Sequence, residues 1–237
     1  SPDRVKAAAR ELLAAGSLVG AEVLGLHDVR RLTQTLGDST PELSHGVELA
    51  LLDLLARTQG KSIAELLCDA PRARIAVHHL VTDTEHAQDA AAQGARCLKL
   101  KIGFEPAAGA VRRVAALREQ LPMIALRLDV NGSWDLATAS RTLRALEPFA
   151  VDWVEQPLAT GALADLARLR QETSIPLVVD EDVSGRDDLE RVLDAEAADG
   201  VVIKPMFCGG PLTARDLVRQ ATQGGLSVCV THALESA

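Results

Sequence analysis

Polar residues recur at a regular interval along the second half of this chain, each at the end of a short apolar run. The intervals between successive members are 28, 26, 25 and 24 residues in the series Lys101, Asp129, Glu155, Asp180 and Lys204. An interval of this length accommodates one β-strand, one helix and the loops that join them. The regularity therefore predicts a series of strand–helix units with a polar residue at the end of each strand.

The apolar runs and the segments between them agree with this prediction. Strands are predicted at 75–80, 97–102, 124–130, 151–155, 176–180, 200–204 and 226–230, and intervening helices include 106–119, 135–147, 187–194 and 211–223. Strands that alternate with helices form a parallel sheet covered by helices. Since no glycine-rich dinucleotide-binding loop follows a strand, seven units in series favour a (β/α) barrel over an open doubly wound sheet.

The first part of the chain has a different pattern. Helical periodicity is found near residues 3–13, 27–36 and 42–58, with a short final turn at 64–67. No convincing strand pattern precedes the first apolar run. We therefore predict two domains, a helical one over residues 1–69 and a (β/α) barrel domain over residues 70–237.

The acidic members of the series suggest a metal site. Asp129, Glu155 and Asp180 end three consecutive predicted strands, where barrel enzymes place their chemistry. Alternation of side chains along a strand puts Asp180 on the inner face and Glu181 on the outer one. Three carboxylates at one level repel one another unless a cation lies between them, and a set of oxygen ligands suits Mg²⁺, or Mn²⁺, better than Zn²⁺. One charged residue at a strand end is usually a solvated rim residue, but five in phase are difficult to explain in that way.

Composition excludes several classes of function. The formal net charge is -8 and no basic stripe is present, so binding to nucleic acid is not expected. No apolar run reaches the roughly 18 residues that a membrane-spanning helix needs. The four cysteines are scattered without a C-x-x-C spacing, which predicts reduced thiols in a cytoplasmic protein. The oligomeric state is left open.

Short motifs around the polar series resemble those of a known family. The motifs are Lys99-Leu100-Lys101, Asp129-Val130-Asn131, Val154-Glu155-Gln156-Pro157, Asp180-Glu181 and Ile203-Lys204-Pro205. Together they resemble the muconate-lactonising subgroup of the enolase superfamily. The resemblance implies an α/β fold of the enolase type, a (β/α)7β barrel preceded by a capping domain.

The resemblance also assigns roles to individual residues. It implies Mg²⁺ bound by Asp129, Glu155 and Asp180, and a small-molecule carboxylate as substrate. It implies acid/base catalysis by Lys101, with Lys204 across the ring. Three further residues are expected to contact the substrate or to orient the metal ligands: Lys99, Asn131 and Thr231.

Within the subgroup, three segments are similar to the o-succinylbenzoate synthase family: Arg127–Asn131, Val201–Pro205 and the ending Thr231-His232-Ala233-Leu234-Glu235-Ser236. The implied reaction is the dehydration of 2-succinyl-6-hydroxy-2,4-cyclohexadiene-1-carboxylate through an enediolate, in menaquinone biosynthesis. Dipeptide epimerases and N-succinylamino acid racemases share the same ligands and both lysines, so they remain alternatives. A Schiff-base aldolase that uses Lys204 is a third possibility, and a barrel that has kept its ligands without activity is a fourth.

The chain departs from the family pattern at both ends. Family members begin with a three-stranded sheet in the capping domain, and their barrel continues beyond the Glu-Ser of the seventh strand. Neither feature is found in this sequence. We therefore expect a truncated barrel that lacks its last strand, preceded by the helices of an incomplete capping domain.

Overall fold

A computed structural model describes residues 2–16, 18–36 and 40–232. The predicted ending Ala233–Ser236 lies outside the described residues. The helices are α1 Pro2–Ala15, α2 Leu26–Gln34, α3 Pro41–Gln59, α4 Ile63–Leu67, α5 Thr84–Ala92, α6 Ala107–Gln120, α7 Leu136–Leu146, α8 Leu163–Glu172, α9 Arg186–Asp194 and α10 Pro211–Gln223. The strands are β1 His79–Val81, β2 Cys97–Lys101, β3 Ala125–Asp129, β4 Trp153–Glu155, β5 Leu177–Val179, β6 Gly200–Ile203 and β7 Ser227–Val230.

The strands form one sheet in sequential order, β1-β2-β3-β4-β5-β6-β7. The strand pairs from β1 to β6 are parallel, and a helix follows each of these strands. Their side chains are largely buried, including Leu98, Leu128 and Val154, which are inaccessible to solvent. Strands buried on both faces are expected where helices cover a parallel sheet. The predicted α/β barrel architecture is confirmed.

Strand boundaries agree with the predictions to within one or two residues, except at β1. The first strand was predicted at 75–80 but comprises His79–Val81. Ile75 and Val77 are 75% and 59% exposed. Pairing begins only where His79 lies opposite Leu98 of β2. The error arises because an apolar run becomes a strand only where a neighbouring strand supplies hydrogen-bond partners.

Two compact units can be distinguished, and both are discontinuous in sequence. One comprises Ser1–Arg74, Ile203–Gln220 and Val230–Ala237, and the other Ile75–Val202 and Ala221–Cys229. The first has its own apolar core, in which Val29, Leu52, Leu55 and Leu212 are buried.

Helix α3 of the first unit has clear end signals. The side chain of Thr40 accepts a hydrogen bond from the Leu43 N–H at the start of the helix, and Gly60 ends it with φ 63°, in the left-handed region.

None of the described helices is long and apolar enough to span a membrane. All four cysteines are free thiols.

Candidate active site

Parallel pairing aligns three of the predicted site residues in one row. Lys101 of β2 lies opposite Asp129 of β3, which lies opposite Glu155 of β4. Each is the last residue of its strand, so the three side chains leave the sheet together at its carboxyl edge. The interval of one strand–helix unit between them is the sequence signal that predicted this row.

Asp180 follows the same row with an offset. Glu155 pairs with Val178 of β5, so Asp180 lies two residues further along the chain. Asp180 is the first residue after β5, and its side chain is buried.

The ammonium group of Lys99 lies between two of the carboxylates. Its Nζ is 2.6 Å from Oε1 of Glu155 and 3.0 Å from Oδ2 of Asp129. Burial by itself lowers the pKa of Lys99, but the two carboxylates outweigh burial and raise the pKa above its ordinary value. Lys99 therefore remains a cation and compensates part of the negative charge.

The carboxyl group of Glu155 has a strongly raised pKa. It is fully buried, and its Oε2 has no hydrogen-bond partner among the described residues. Burial raises the pKa of Glu155 to about 7; Lys99 opposes this shift, and the charges of Asp129 and Asp180 add to it. A buried carboxylate with an unfilled acceptor and two acidic neighbours is suited to a cation.

No group of three or more His, Cys, Asp or Glu side chains in the described part of the chain is arranged to hold a metal ion as it stands. The ammonium group of Lys99 contacts one oxygen of Asp129 and one of Glu155. A divalent cation would compete with Lys99 for these oxygens. The chemistry of the donor set still fits Mg²⁺ or Mn²⁺, since every donor is a carboxylate oxygen.

The side chain of Lys101 is 43% exposed. Its Nζ donates a hydrogen bond to Oδ1 of Asn131 at 3.0 Å and is 3.7 Å from Oδ2 of Asp129. The backbone N–H of Asn131 donates to Oδ1 of Asp129, also at 3.0 Å. Asn131 thus contacts both the lysine and a predicted ligand, as an orienting residue should.

Glu181 does not lie where alternation predicted it. Strand β5 ends at Val179, so the alternation of faces no longer applies to the two acidic residues that follow. Oε1 of Glu181 accepts a hydrogen bond from Nδ2 of Asn131 at 3.3 Å. The outer-face prediction for Glu181 was therefore wrong, and this carboxylate belongs to the surroundings of the row.

Two supporting contacts were missed by sequence reasoning. Arg113 of α6 donates to the carbonyl oxygens of Lys101, at 2.5 Å, and of Thr82, at 2.9 Å, which joins the ends of two strands. Gln156, next to Glu155, donates to Oδ2 of Asp182 at 2.6 Å. The arginine has no sequence signal, because nothing in a helical pattern shows which strand end a side chain will reach.

Lys204 and Thr231 belong to the other compact unit. The Nζ of Lys204 is 5.7 Å from the centre of the Phe207 ring, a cation–π distance, and the N–H of Thr231 donates to the carbonyl of Ile203 at 3.0 Å. Their proximity to the row of carboxylates stays a prediction.

Comparison with protein families identifies the larger part of the chain. Residues 82–237 match the family described as "Enolase C-terminal domain-like". This segment begins directly after β1 and includes the whole row of Lys101, Asp129 and Glu155.

Curated relatives include enzymes of several activities. The chain is 28% identical over 228 residues to the N-succinyl-L-Arg/Lys racemase of Bacillus cereus, covering 93% of this chain and 62% of the relative. It is 41% identical over 155 residues to the o-succinylbenzoate synthase of Thermobifida fusca, covering 64% and 47%. It is 35% identical over 199 residues to the chloromuconate cycloisomerase of Cupriavidus pinatubonensis, covering 81% and 54%. The chain thus spans about half to three fifths of the length of these relatives.

Solved structures show the same fold. The L-Ala-D/L-Glu epimerase of Bacillus subtilis superimposes with a TM-score of 0.91 and 26% identity, covering all of this chain and 68% of that one. The dipeptide epimerase of Cytophaga hutchinsonii, crystallised with Mg and D-Ala-L-Val, gives 0.83 and 27%, covering 94% and 62%. With these relatives, the family match and the motifs on the strand ends, the chain belongs to the enolase superfamily, among its members of the muconate-lactonising type.

Proposed function

We propose that this chain carries the acid/base site of a Mg²⁺-dependent enzyme that removes a proton next to a substrate carboxylate, specifically an o-succinylbenzoate synthase. The observation that carries the proposal is the row of Lys101, Asp129 and Glu155, with buried carboxylates beside an accessible lysine. The relative from Thermobifida fusca supports the synthase assignment with 41% identity.

The carboxylates of Asp129, Glu155 and Asp180 would hold the cation, and Mn²⁺ is an alternative to Mg²⁺. Two of the structural neighbours were crystallised with Mg, which supports this choice. When bound, such a cation supplies Lewis-acid stabilisation of negative charge that develops on the substrate carboxylate. Oε2 of Glu155 has no hydrogen-bond partner among the described residues, so a cation would satisfy it.

Lysine side chains carry out the proton transfers and stabilise the charge that develops on the substrate. Lys101, held by Asn131, takes the proton from the carbon next to the substrate carboxylate. As the carbon–oxygen bond breaks, the same ammonium returns a proton to the departing hydroxyl group, which leaves as water. The ammonium group of Lys204 would stabilise the negative charge of the intermediate.

A racemase or epimerase is the second candidate. It is supported by the N-succinyl-L-Arg/Lys racemase of Bacillus cereus, since that similarity extends over 93% of the chain. In this reaction Lys204 is a second acid/base that exchanges a proton with the opposite face. Both candidates act on a small carboxylate, and we propose that the enzyme is cytoplasmic.

Parallel assays would test the assignment. The purified protein is given the cyclohexadiene substrate, and separately N-succinyl-Arg, N-succinyl-Lys and a dipeptide in D₂O, with Mg²⁺ or with EDTA. We expect Mg²⁺-dependent formation of o-succinylbenzoate and a loss of about 10²–10⁴-fold in Lys101→Ala. Lys61→Ala, a change of an exposed lysine, is the matched control. Activity that survives EDTA, or an unaltered rate in Lys101→Ala, contradicts the proposal.

Lys204 distinguishes the two candidates. Arginine keeps the positive charge but cannot give up its proton in a protein. Lys204→Arg should therefore retain part of a synthase activity but lose racemisation and the exchange with D₂O of an α-proton that faces Lys204, whereas exchange by Lys101 persists. Borohydride added with the substrate tests the aldolase alternative, since only a Schiff base on Lys204 would be trapped.

A further inference from the structure

The side chain of Gln156 is completely buried directly after Glu155 and uses both ends of its amide group. Its Oε1 accepts the backbone N–H of Asp180 at 2.8 Å. Its Nε2 donates to Oδ2 of Asp182 at 2.6 Å and to the carbonyl of Leu158 at 3.0 Å. Every hydrogen atom of the amide NH₂ therefore has an acceptor, and its oxygen has a donor.

Chemistry fixes the orientation of this amide. A backbone N–H can only donate, so the atom that faces Asp180 must be the oxygen. A carboxylate and a carbonyl can only accept, so the atom that faces Asp182 and Leu158 must be the nitrogen. A flipped amide would lose all three hydrogen bonds at once.

The hydrogen bond from the Asp180 N–H to the Gln156 side chain takes the place of a backbone hydrogen bond between strands. Strand β4 ends at Glu155 and β5 at Val179, so the N–H of Asp180 lies beyond the paired backbone. Leaving a buried N–H without an acceptor costs about 1–3 kcal/mol. Gln156 supplies that acceptor and so fixes the backbone of Asp180 relative to Glu155.

Asp182 completes the arrangement. It is buried, and its second oxygen, Oδ1, accepts the backbone N–H of Gly161 at 2.7 Å. Both of its oxygens therefore have donors within the protein. Asp182 thus holds both the side chain of Gln156 and the loop after β4.

We propose that Gln156, held by Asp182, is a positioning residue that sets the place of Asp180 relative to Glu155 and thereby the affinity of the site for a divalent cation. This inference rests on the proposed function, in which Glu155 and Asp180 are two of the three ligands. Residues that orient metal ligands typically change affinity by about 10- to 100-fold when replaced.

The inference can be tested by exchanging the amide of Gln156 and the carboxylate of Asp182 between the two positions. Gln156→Glu places a carboxylate against that of Asp182, and we expect Mg²⁺ and Mn²⁺ to bind about 10- to 100-fold more weakly in titration calorimetry without substrate. In Asp182→Asn a single amide oxygen remains to accept from both Nε2 of Gln156 and the N–H of Gly161. We therefore expect a smaller loss of cation affinity in this variant. The double variant Gln156→Glu/Asp182→Asn restores a donor on residue 182 for the carboxylate and an acceptor for Gly161, at unaltered net charge, but the carbonyl of Leu158 loses its donor. We expect it to bind the cations more tightly than Gln156→Glu and less tightly than the wild type.

Thr142→Val is the structural control, because Thr142 is buried in α7 and its hydroxyl donates to the carbonyl of Thr138 at 2.7 Å. This variant should lower the stability to urea without altering cation affinity. Equal affinity in the wild type, Gln156→Glu and Asp182→Asn overturns the inference and leaves the proposed function intact. A double variant that folds but binds no better than Gln156→Glu also overturns it. A wild-type protein that binds neither cation refutes the proposed function, and the inference with it.

Discussion

Glu48 of α3 allows a sharp test of the electrostatics of the first compact unit. It is 3% exposed, and its Oε1 accepts the backbone N–H of Leu212 at 2.7 Å. Burial raises the pKa of Glu48 above 4.5; the hydrogen bond from Leu212 and the charges of Arg30 and Arg215 oppose this, while Asp216 adds to it. We consider the replacement Glu48→Gln, which keeps the acceptor and the shape but removes the charge.

The direction of the pH effect follows from the raised pKa. The folded protein binds the proton of Glu48 more tightly than the unfolded chain does. The contribution to stability is therefore complete below the unfolded pKa, near 4.5, and is lost as the pH rises through the folded pKa. Each tenfold difference in proton affinity between the two states corresponds to about 1.4 kcal/mol.

Glu48→Gln should therefore match the wild type near pH 4.5 and become progressively more stable than it at higher pH. Glu48→Ala should behave differently, because it leaves the buried N–H of Leu212 without an acceptor. We estimate that loss at about 1–3 kcal/mol, with about 0.8 kcal/mol more for each buried methylene removed. Relief from burying a charge offsets part of this loss above the folded pKa.

The assay is urea unfolding of the three proteins between pH 4.5 and 8. Asp188→Asn provides a control of opposite sign, since hydrogen bonds from the side chain and the backbone N–H of Ser184 lower the pKa of Asp188. That variant should lose stability relative to the wild type at neutral pH and approach it on acidification. A difference between Glu48→Gln and the wild type that is independent of pH, or that falls as the pH rises, refutes the reasoning.

Three further predictions concern packing and helix ends. Gly103→Ala should destabilise the fold by about 1–3 kcal/mol or more and reduce any Lys101-dependent activity, because a Cβ there would lie 2.7 Å from the carbonyl carbon of Val130. Urea unfolding measures the first effect, and an unaltered midpoint contradicts it. Leu143→Ala in α7 should lower the free energy of unfolding by about 2–5 kcal/mol, because the Leu143 side chain is fully buried. Met123→Ala should change it by no more than about 0.5 kcal/mol, because Met123 is 92% exposed. Equal losses in the two variants would disagree with the packing described. Thr40→Ala should cost about 1 kcal/mol through the lost cap of α3, and replacement by Ser should restore it.

The sequence determined the repeat and the residues that end its strands. Side-chain alternation and the interval of one strand–helix unit are local properties, so they predicted that Lys101, Asp129 and Glu155 share a row. They could not predict where β1 begins, because pairing with β2 decides that boundary. The same limit explains Glu181, whose placement depends on β5 ending before Asp180.

Only the tertiary structure decided which side chains meet within that row. Lys99 and Glu155 are 56 residues apart and Gln156 and Asp182 are 26 apart, yet each pair is joined at 2.6 Å. Glu48 and Leu212 meet across 164 residues. Such contacts depend on strand register, stagger and the reach of individual side chains, and local periodicity specifies none of these three. The repeat in the sequence thus predicts which carboxylates end the strands. The environment of these carboxylates depends on residues that only folding brings to them, such as Lys99 beside Glu155 and the Gln156 side chain beside the backbone of Asp180.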